Sequence, residues 1–187
     1  MEMTPWDYNL AYGGFQASDS ATNMINYPID SPVSGGNAAD RPMISWIFEK
    51  EEYTNLYHTI FEEFISKYFE SGYFETMYDK TIEMISPYIE KDPTKFCTYE
   101  EFKQGCATLR QFCLLRAKSI GMQLDGSIGS TNETQDNSTF VNADDLQIKD
   151  MCSMGGMGGG MPEFGKDRPK KINPGENFKK RERNAGN

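Results

Sequence analysis

Hydrophobic positions recur at helical spacing between residues 42 and 126, and only there in a sustained way. Tyr53, Leu56, Tyr57, Ile60, Phe61, Phe64 and Tyr68 follow one another in steps of three and four, which places them on one wide stripe of a helix ending near Ser71-Gly72. A second stripe comprises Phe74, Met77, Tyr78, Ile82, Ile85 and Ile89. Pro87 falls inside it and has no N–H to donate, so the pattern predicts a kink or a helix end at Ser86, before the Asp92-Pro93 turn. Thr98 with Glu101 three residues on reads as a capping box that opens another helix. Its apolar face runs through Phe102, Cys106, Leu109, Cys113, Ala117, Ile120 and Leu124, with Gly126 placed to terminate it. Pro42 suits the first turn of a shorter helix through Phe48. None of these stripes can bury its apolar side alone, so the prediction is a mainly α fold with a helical bundle over residues 42–126.

The flanks read differently. Residues 1–15, MEMTPWDYNLAYGGF, are aromatic and glycine-punctuated, like a strand end running into a loop. Residues 16–41 are rich in Ser, Asn, Asp, Gly and Pro, with Tyr27-Pro28, Ser31-Pro32 and Gly35-Gly36 marking turns and extended backbone, so an irregular connection is expected. Its length exceeds that of an ordinary structureless loop, which points to function or to packing. After Gly126 the periodicity dissolves into GSIGSTNETQDNST, the Gly/Met run MCSMGGMGGGM and a basic end. Such composition buries little apolar area, so disorder is expected over residues 127–187.

Composition sharpens this division. Hydrophobic residues are 37% of the 187, yet aromatics are 13%, so a well-built core is segregated from polar chain. With only two valines, Val33 and Val141, a sheet-dominated protein is disfavoured. The net charge is −9; residues 163–187 carry eight basic and four acidic side chains, leaving −13 on residues 1–162. An acidic body argues against a nucleic-acid-binding core, which needs a positive face for phosphates. The basic tail is read as solvated, or as a contact for an acidic partner. No apolar run reaches the ~18 residues of a membrane span, and the opening residues do not read as an export signal.

The four cysteines form no C-x-x-C pair, and the one histidine, His58, sits in a strongly helical run, so zinc coordination is not expected. Cys106 and Cys113 are seven residues apart on one helix, roughly 10.5 Å of rise, too far for a disulfide, and read as small apolar core residues. His58 reads as a polar-face or boundary residue, and the Gly/Met run as a linker rather than a thioether metal site. The best candidate for chemistry is Asp7, between Trp6 and Tyr8 and six residues before Gly13-Gly14. A carboxylate at a strand end, followed by a glycine-permitted turn, can hold Mg²⁺ against phosphate oxygens, though the same pattern also suits a turn residue or cap.

The segments PWDYNLAYGGF, NYPIDSPVSG, RPMISWIFEKEEYTNLYH, ISPYIEKDPTKFCTYEEF and LRAKSIGMQLDG occur in this order over about residues 3–126. Together they resemble the C-terminal part of CotH-type kinases, atypical bacterial protein kinases first associated with the spore coat. The resemblance implies the C-terminal helical lobe of an atypical protein-kinase-like α+β fold, with a short N-terminal strand or loop remnant. It also implies that Asp7 stands where ordinary protein kinases carry the metal-binding Asp of Asp-Phe-Gly, binding Mg²⁺ with ATP, and that Trp6 either walls the adenine pocket or belongs to the core. In the family, the ATP-binding lysine and the catalytic Asp segment precede this motif, so the chain reads as a C-terminal fragment expected to be inactive alone. The implied partner is a protein substrate of the coat or envelope, phosphorylated on Ser or Thr. The alternatives are a non-catalytic helical interaction module of a spore coat or cell-surface assembly, in which Asp7 is structural, and a surface protein acting through its basic tail.

Overall fold

In the computed structural model of the chain, residues 11–12, 20–33, 38–95 and 97–151 are described. Five α-helices follow in order: α1 (Ala21–Ile25), α2 (Pro42–Ser45), α3 (Glu51–Ile65), α4 (Tyr73–Lys91) and α5 (Tyr99–Leu124). Short 3-10 turns at Ala38–Asp40, Trp46–Phe48, Asn137–Thr139 and Ile148–Met151 and a π turn at Ser66–Glu70 accompany them, and no strand occurs among the described residues. The fold is mainly helical, as the apolar spacing predicts.

Local chemistry accounts for the boundaries. Pro42 occupies the first turn of α2, where no N–H is needed. α3 passes into a π turn at Ser66–Glu70, closed by Ser71 N–H donating to the Ser66 carbonyl at 3.2 Å. Gly72 then reverses the chain at φ 74°, a left-handed conformation that glycine enters without a Cβ clash. At α5 the capping box is complete: Glu101 N–H donates to Thr98 Oγ1 at 3.2 Å, and Thr98 N–H donates to Glu101 Oε2 at 2.6 Å. Gly126, at φ 80°, ends that helix.

α5 is the axis of the fold and packs on two sides. On one, Ala117 and Ile120 join Ile29 and Ile65 in a buried cluster, with Phe61, Phe69 and Leu124 beside it. On the other, Phe112 packs with Ala21 and Ile25 of α1 and with Ile128, Val141, Ala143 and Ile148. α4 is tied to α5 by Tyr78, whose hydroxyl donates to the Cys106 carbonyl at 2.7 Å, and by Arg110 Nη2, 2.6 Å from Glu75 Oε1.

Three expectations are corrected. Helix α4 does not stop at Ser86 but runs through Pro87 to Lys91. Pro87 and Glu83 are both exposed, so the carbonyl that loses its amide partner four residues back is open to water, which lowers the cost of an interior proline. The connection at 16–41 is not wholly irregular: Ser20 caps α1 by accepting from Asn23 N–H at 3.1 Å, and Ile25 and Ile29 are fully buried. The polar stretch after Gly126 is folded through Met151 rather than disordered. Its Asp, Ser and Thr side chains cap their own backbone, as where Asp136 Oδ1 accepts from Ser138 N–H at 2.9 Å, so a few well-spaced apolar residues suffice to anchor it. Residues 152–187, which include the Gly/Met run and the basic end, lie outside the described residues.

Candidate functional site

The segment Asn26–Ser31 is irregular backbone held by side chains from several elements, α5 foremost. Arg116 Nη1 donates to the Ile25 carbonyl at 2.7 Å and to the Tyr27 carbonyl at 2.6 Å. One turn on, Ser119 Oγ donates to Asn26 Oδ1 at 2.9 Å. One turn further, the buried Gln123 accepts from Ile29 N–H through Oε1 at 2.9 Å and donates to the Tyr27 carbonyl through Nε2 at 3.3 Å. The spacing 116, 119, 123 puts all three side chains on one helix face, so a single rigid element holds the Ile25 and Tyr27 carbonyls, the Asn26 side chain and the Ile29 N–H.

α3 grips the far end. Tyr57 hydroxyl donates to the Ile29 carbonyl at 3.0 Å, and His58 Nε2 lies 2.8 Å from Asp30 Oδ1, a half-buried pair. Asp30 N–H donates to the Ser130 carbonyl at 2.8 Å, and Gln135 Nε2 donates to the Asn26 carbonyl, so the folded segment after α5 closes the opposite side. Burial pushes the Tyr57 phenol up, the Asp30 carboxylate adds to this, and the Arg116 guanidinium opposes it. Burial brings Arg116 down to about 10, against the pull of Tyr57; it therefore stays charged at neutral pH.

The sequence-predicted candidates fare unequally. Asp7 and Trp6 lie outside the described residues, as does the expected strand end around them. Of the opening segment the structure describes Ala11 and Tyr12, which form a turn in which Tyr12 has φ 59° just before Gly13-Gly14. Among the described residues no group of three or more His, Cys, Asp or Glu could hold a metal ion. Sequence reasoning missed the His58–Asp30 pair, since nothing in the spacing joins residues 28 apart. Arg116, Ser119 and Gln123 were missed too, although a polar row on a core helix is a signal that could have found them.

Burial pushes the Cys113 thiol up to about 12 and raises Cys106 as well. Tyr78 is likewise raised, first by burial. The sign follows from proton counting. Above pH ~9 the unfolded chain ionises a thiol that the folded chain keeps protonated, so stability falls with a slope of about 1.4 kcal/mol per pH unit for Cys113. Denaturant midpoints are expected to drop between pH 9 and 11, and less steeply in Cys113→Ala. An identical slope in both proteins would remove Cys113 from the account.

No helix among the described residues is long and apolar enough to cross a membrane. A family model described as CotH kinase protein matches residues 1–120. Neither the search of curated proteins nor that of solved structures returned a match.

Proposed function

The chain belongs to the CotH kinase protein family, and from that membership we propose that it supplies the metal-loop and helical-lobe portion of a CotH-type protein kinase acting on protein Ser or Thr. Asp7 is the residue to hold Mg²⁺ with ATP, Trp6 the one to lie against the adenine, and the lysine and catalytic base come from the family segments that precede this motif. Bound Mg²⁺ would neutralise charge on the transferring phosphoryl group. The chain's own described residues have a different task, that of holding backbone in place. Arg116, Ser119 and Gln123 fasten the NYPIDSP segment to α5, and the Tyr57 and His58 side chains fasten it to α3.

The observation that carries this reading is the coupling of two segments of the family resemblance: LRAKSIGMQL grips NYPID through side chains whose types the motifs themselves contain. Phosphoryl transfer relies on positioning more than on covalent participation by the protein, and a backbone held at several of its peptides suits that demand. The substrate belongs to a spore coat or envelope by the same reading. Calorimetric titration of Mg-ATP into a chain that includes the lysine- and base-bearing segments tests the role of Asp7. Asp7→Asn is expected to weaken binding at least tenfold, and equal affinity would remove Asp7 from the site.

A second reading, a non-catalytic helical module that binds a protein partner, is favoured by the large apolar side chains that α3 and α4 leave exposed. It predicts partner binding independent of nucleotide and unaffected by Asp7→Asn.

A further inference from the structure

The two apolar cores on either side of α5 share no residue. One unites Ile29, Ile65, Ala117 and Ile120, and so ties α5 to α3. The other joins α1 and Phe112 to Ile128, Val141, Ala143 and Ile148, and neither α3 nor α4 contributes to it among the described residues. Residues 127–151 thus cross α1 and α5 as a strap. The strap leaves α5 at Gly126, where φ is 80°, and lies beyond residues 1–120 that the family model matches.

Within itself the strap has only local turns, such as Leu146 N–H to the Ala143 carbonyl and Asp150 N–H to the Gln147 carbonyl, both at 2.9 Å. Turns this short do not persist alone, so the strap keeps its shape through its cross-links. Val141 N–H donates to Asn26 Oδ1 and Ala143 N–H to Thr22 Oγ1, each at 3.0 Å, which fastens extended backbone to side chains one turn apart at the end of α1. Asn132 N–H donates to Ser31 Oγ at 3.2 Å. At the far end the strap lies on Gly105 of α5, where a Cβ would come within 2.8 Å of the Asp150 carbonyl oxygen.

The segment Asn26–Ser31 runs between the two cores, and consecutive amides are held from different sides. Ile29 N–H donates to Gln123 of α5 at 2.9 Å, whereas Asp30 N–H donates to the Ser130 carbonyl of the strap at 2.8 Å. We propose that residues 127–151, together with α1, open and close on α5 as one unit, and that closing this strap immobilises the outer side of Asn26–Ser31. Opening exposes the core around α1 but not the core shared with α3, so α3, α4 and α5 stay packed. The Asp30 N–H and Ser31 are then released together, while Gln123 and Tyr57 keep hold of Ile29. This device is independent of whether Asp7 binds a metal.

Amide hydrogen exchange on the full chain, read residue by residue by NMR at increasing urea below the unfolding transition, tests it. The Asp30, Val141 and Ala143 amides are expected to share one opening with one urea dependence, while the Ile29 amide and α3 exchange more slowly. Two glycines allow a wedge at either end. Gly105→Ala sets a Cβ against the Asp150 carbonyl while favouring helix in α5 itself, and Gly129→Ala drives one into the Thr134 carbonyl, beside Ser130 and Gln135 that fasten Asp30 and Asn26. Gly105→Ala is expected to speed exchange of Asp30, Val141 and Ala143 by about tenfold and to leave Ile29 and α3 within about twofold of their former rates. Gly129→Ala should accelerate the same amides from the other end; if it does not fold, Gly105→Ala decides alone. Acceleration confined to residues 147–151 in Gly105→Ala overturns the proposal, because the strap would then fray piece by piece. So does equal acceleration of Ile29, α3 and α4, or no acceleration in either variant.

Discussion

Asn26→Ala is expected to lower the stability of the folded chain by about 3–6 kcal/mol, enough to unfold a domain of ordinary marginal stability. Asn26 is 0% exposed, and its amide uses its whole hydrogen-bonding capacity. Nδ2 donates to the Thr22 carbonyl at 2.7 Å and to the Val141 carbonyl at 2.9 Å. Oδ1 accepts from Val141 N–H at 3.0 Å and from Ser119 Oγ at 2.9 Å. One side chain thus joins α1, α5 and the segment that follows α5. Alanine leaves both polar groups of the buried Val141 peptide without their partner and takes one acceptor from Ser119, and each such loss costs ~1–3 kcal/mol. Asn26→Asp should be no milder, because a carboxylate oxygen would then face the Val141 carbonyl. Urea unfolding followed by circular dichroism measures the effect. A loss below about 1 kcal/mol would mean that residues 127–151 hold their place without this amide.

The same residue shows why part of the fold was hidden in the sequence. The helices were legible because their signals are repetitive and local: stripes at helical spacing, the Thr98–Glu101 box, and glycines where left-handed backbone is needed. The expected burial of those stripes was not met throughout, since Leu56, Ile60 and Phe64 of α3 and Met77 of α4 are exposed. The second side of α5 was not legible, because it reads as polar. Gly105, Thr108, Ser119 and Gln123 are all buried there, but they pack against backbone and polar partners rather than contributing an apolar stripe. A helix-interior glycine was the available clue: a Cβ on Gly105 would lie 2.8 Å from the Asp150 carbonyl oxygen, so the folded tail lies directly on α5 at that point. Ile128, Val141, Ala143 and Ile148 are too far apart to form a periodic pattern, and their turns are built by side chains that composition alone counts as solvated. The candidate site divides along the same line. Asp7 and Trp6 are expectations from a local motif that lies outside the described residues, whereas the His58–Asp30 pair and the grip of α5 on Asn26–Ser31 arise only when distant segments meet.

Arg116→Met is expected to cost about 3–5 kcal/mol, and the reason separates it from an ordinary surface arginine. Its Nη1 lies between two carbonyls, Ile25 and Tyr27, rather than against a carboxylate. Hydrogen bonds from a charged donor are worth ~1.5–3 kcal/mol each. Methionine fills the volume and relieves the desolvated charge, which offsets part of the loss, but it takes the Arg116 donor from the Ile25 carbonyl and leaves the Tyr27 carbonyl with Gln123 alone. Arg116→Lys should recover roughly half, since a flexible ammonium does not reproduce the planar guanidinium that spans both carbonyls. The damage should be local before it is global. The Tyr27-Pro28-Ile29 backbone would still be held by Gln123 and Tyr57, so amide exchange in residues 27–31 should accelerate under conditions where α4 and the first turns of α5 remain protected. Uniform acceleration through α3, α4 and α5 would instead show that Arg116 supports the whole domain, and that the segment has no independent rigidity.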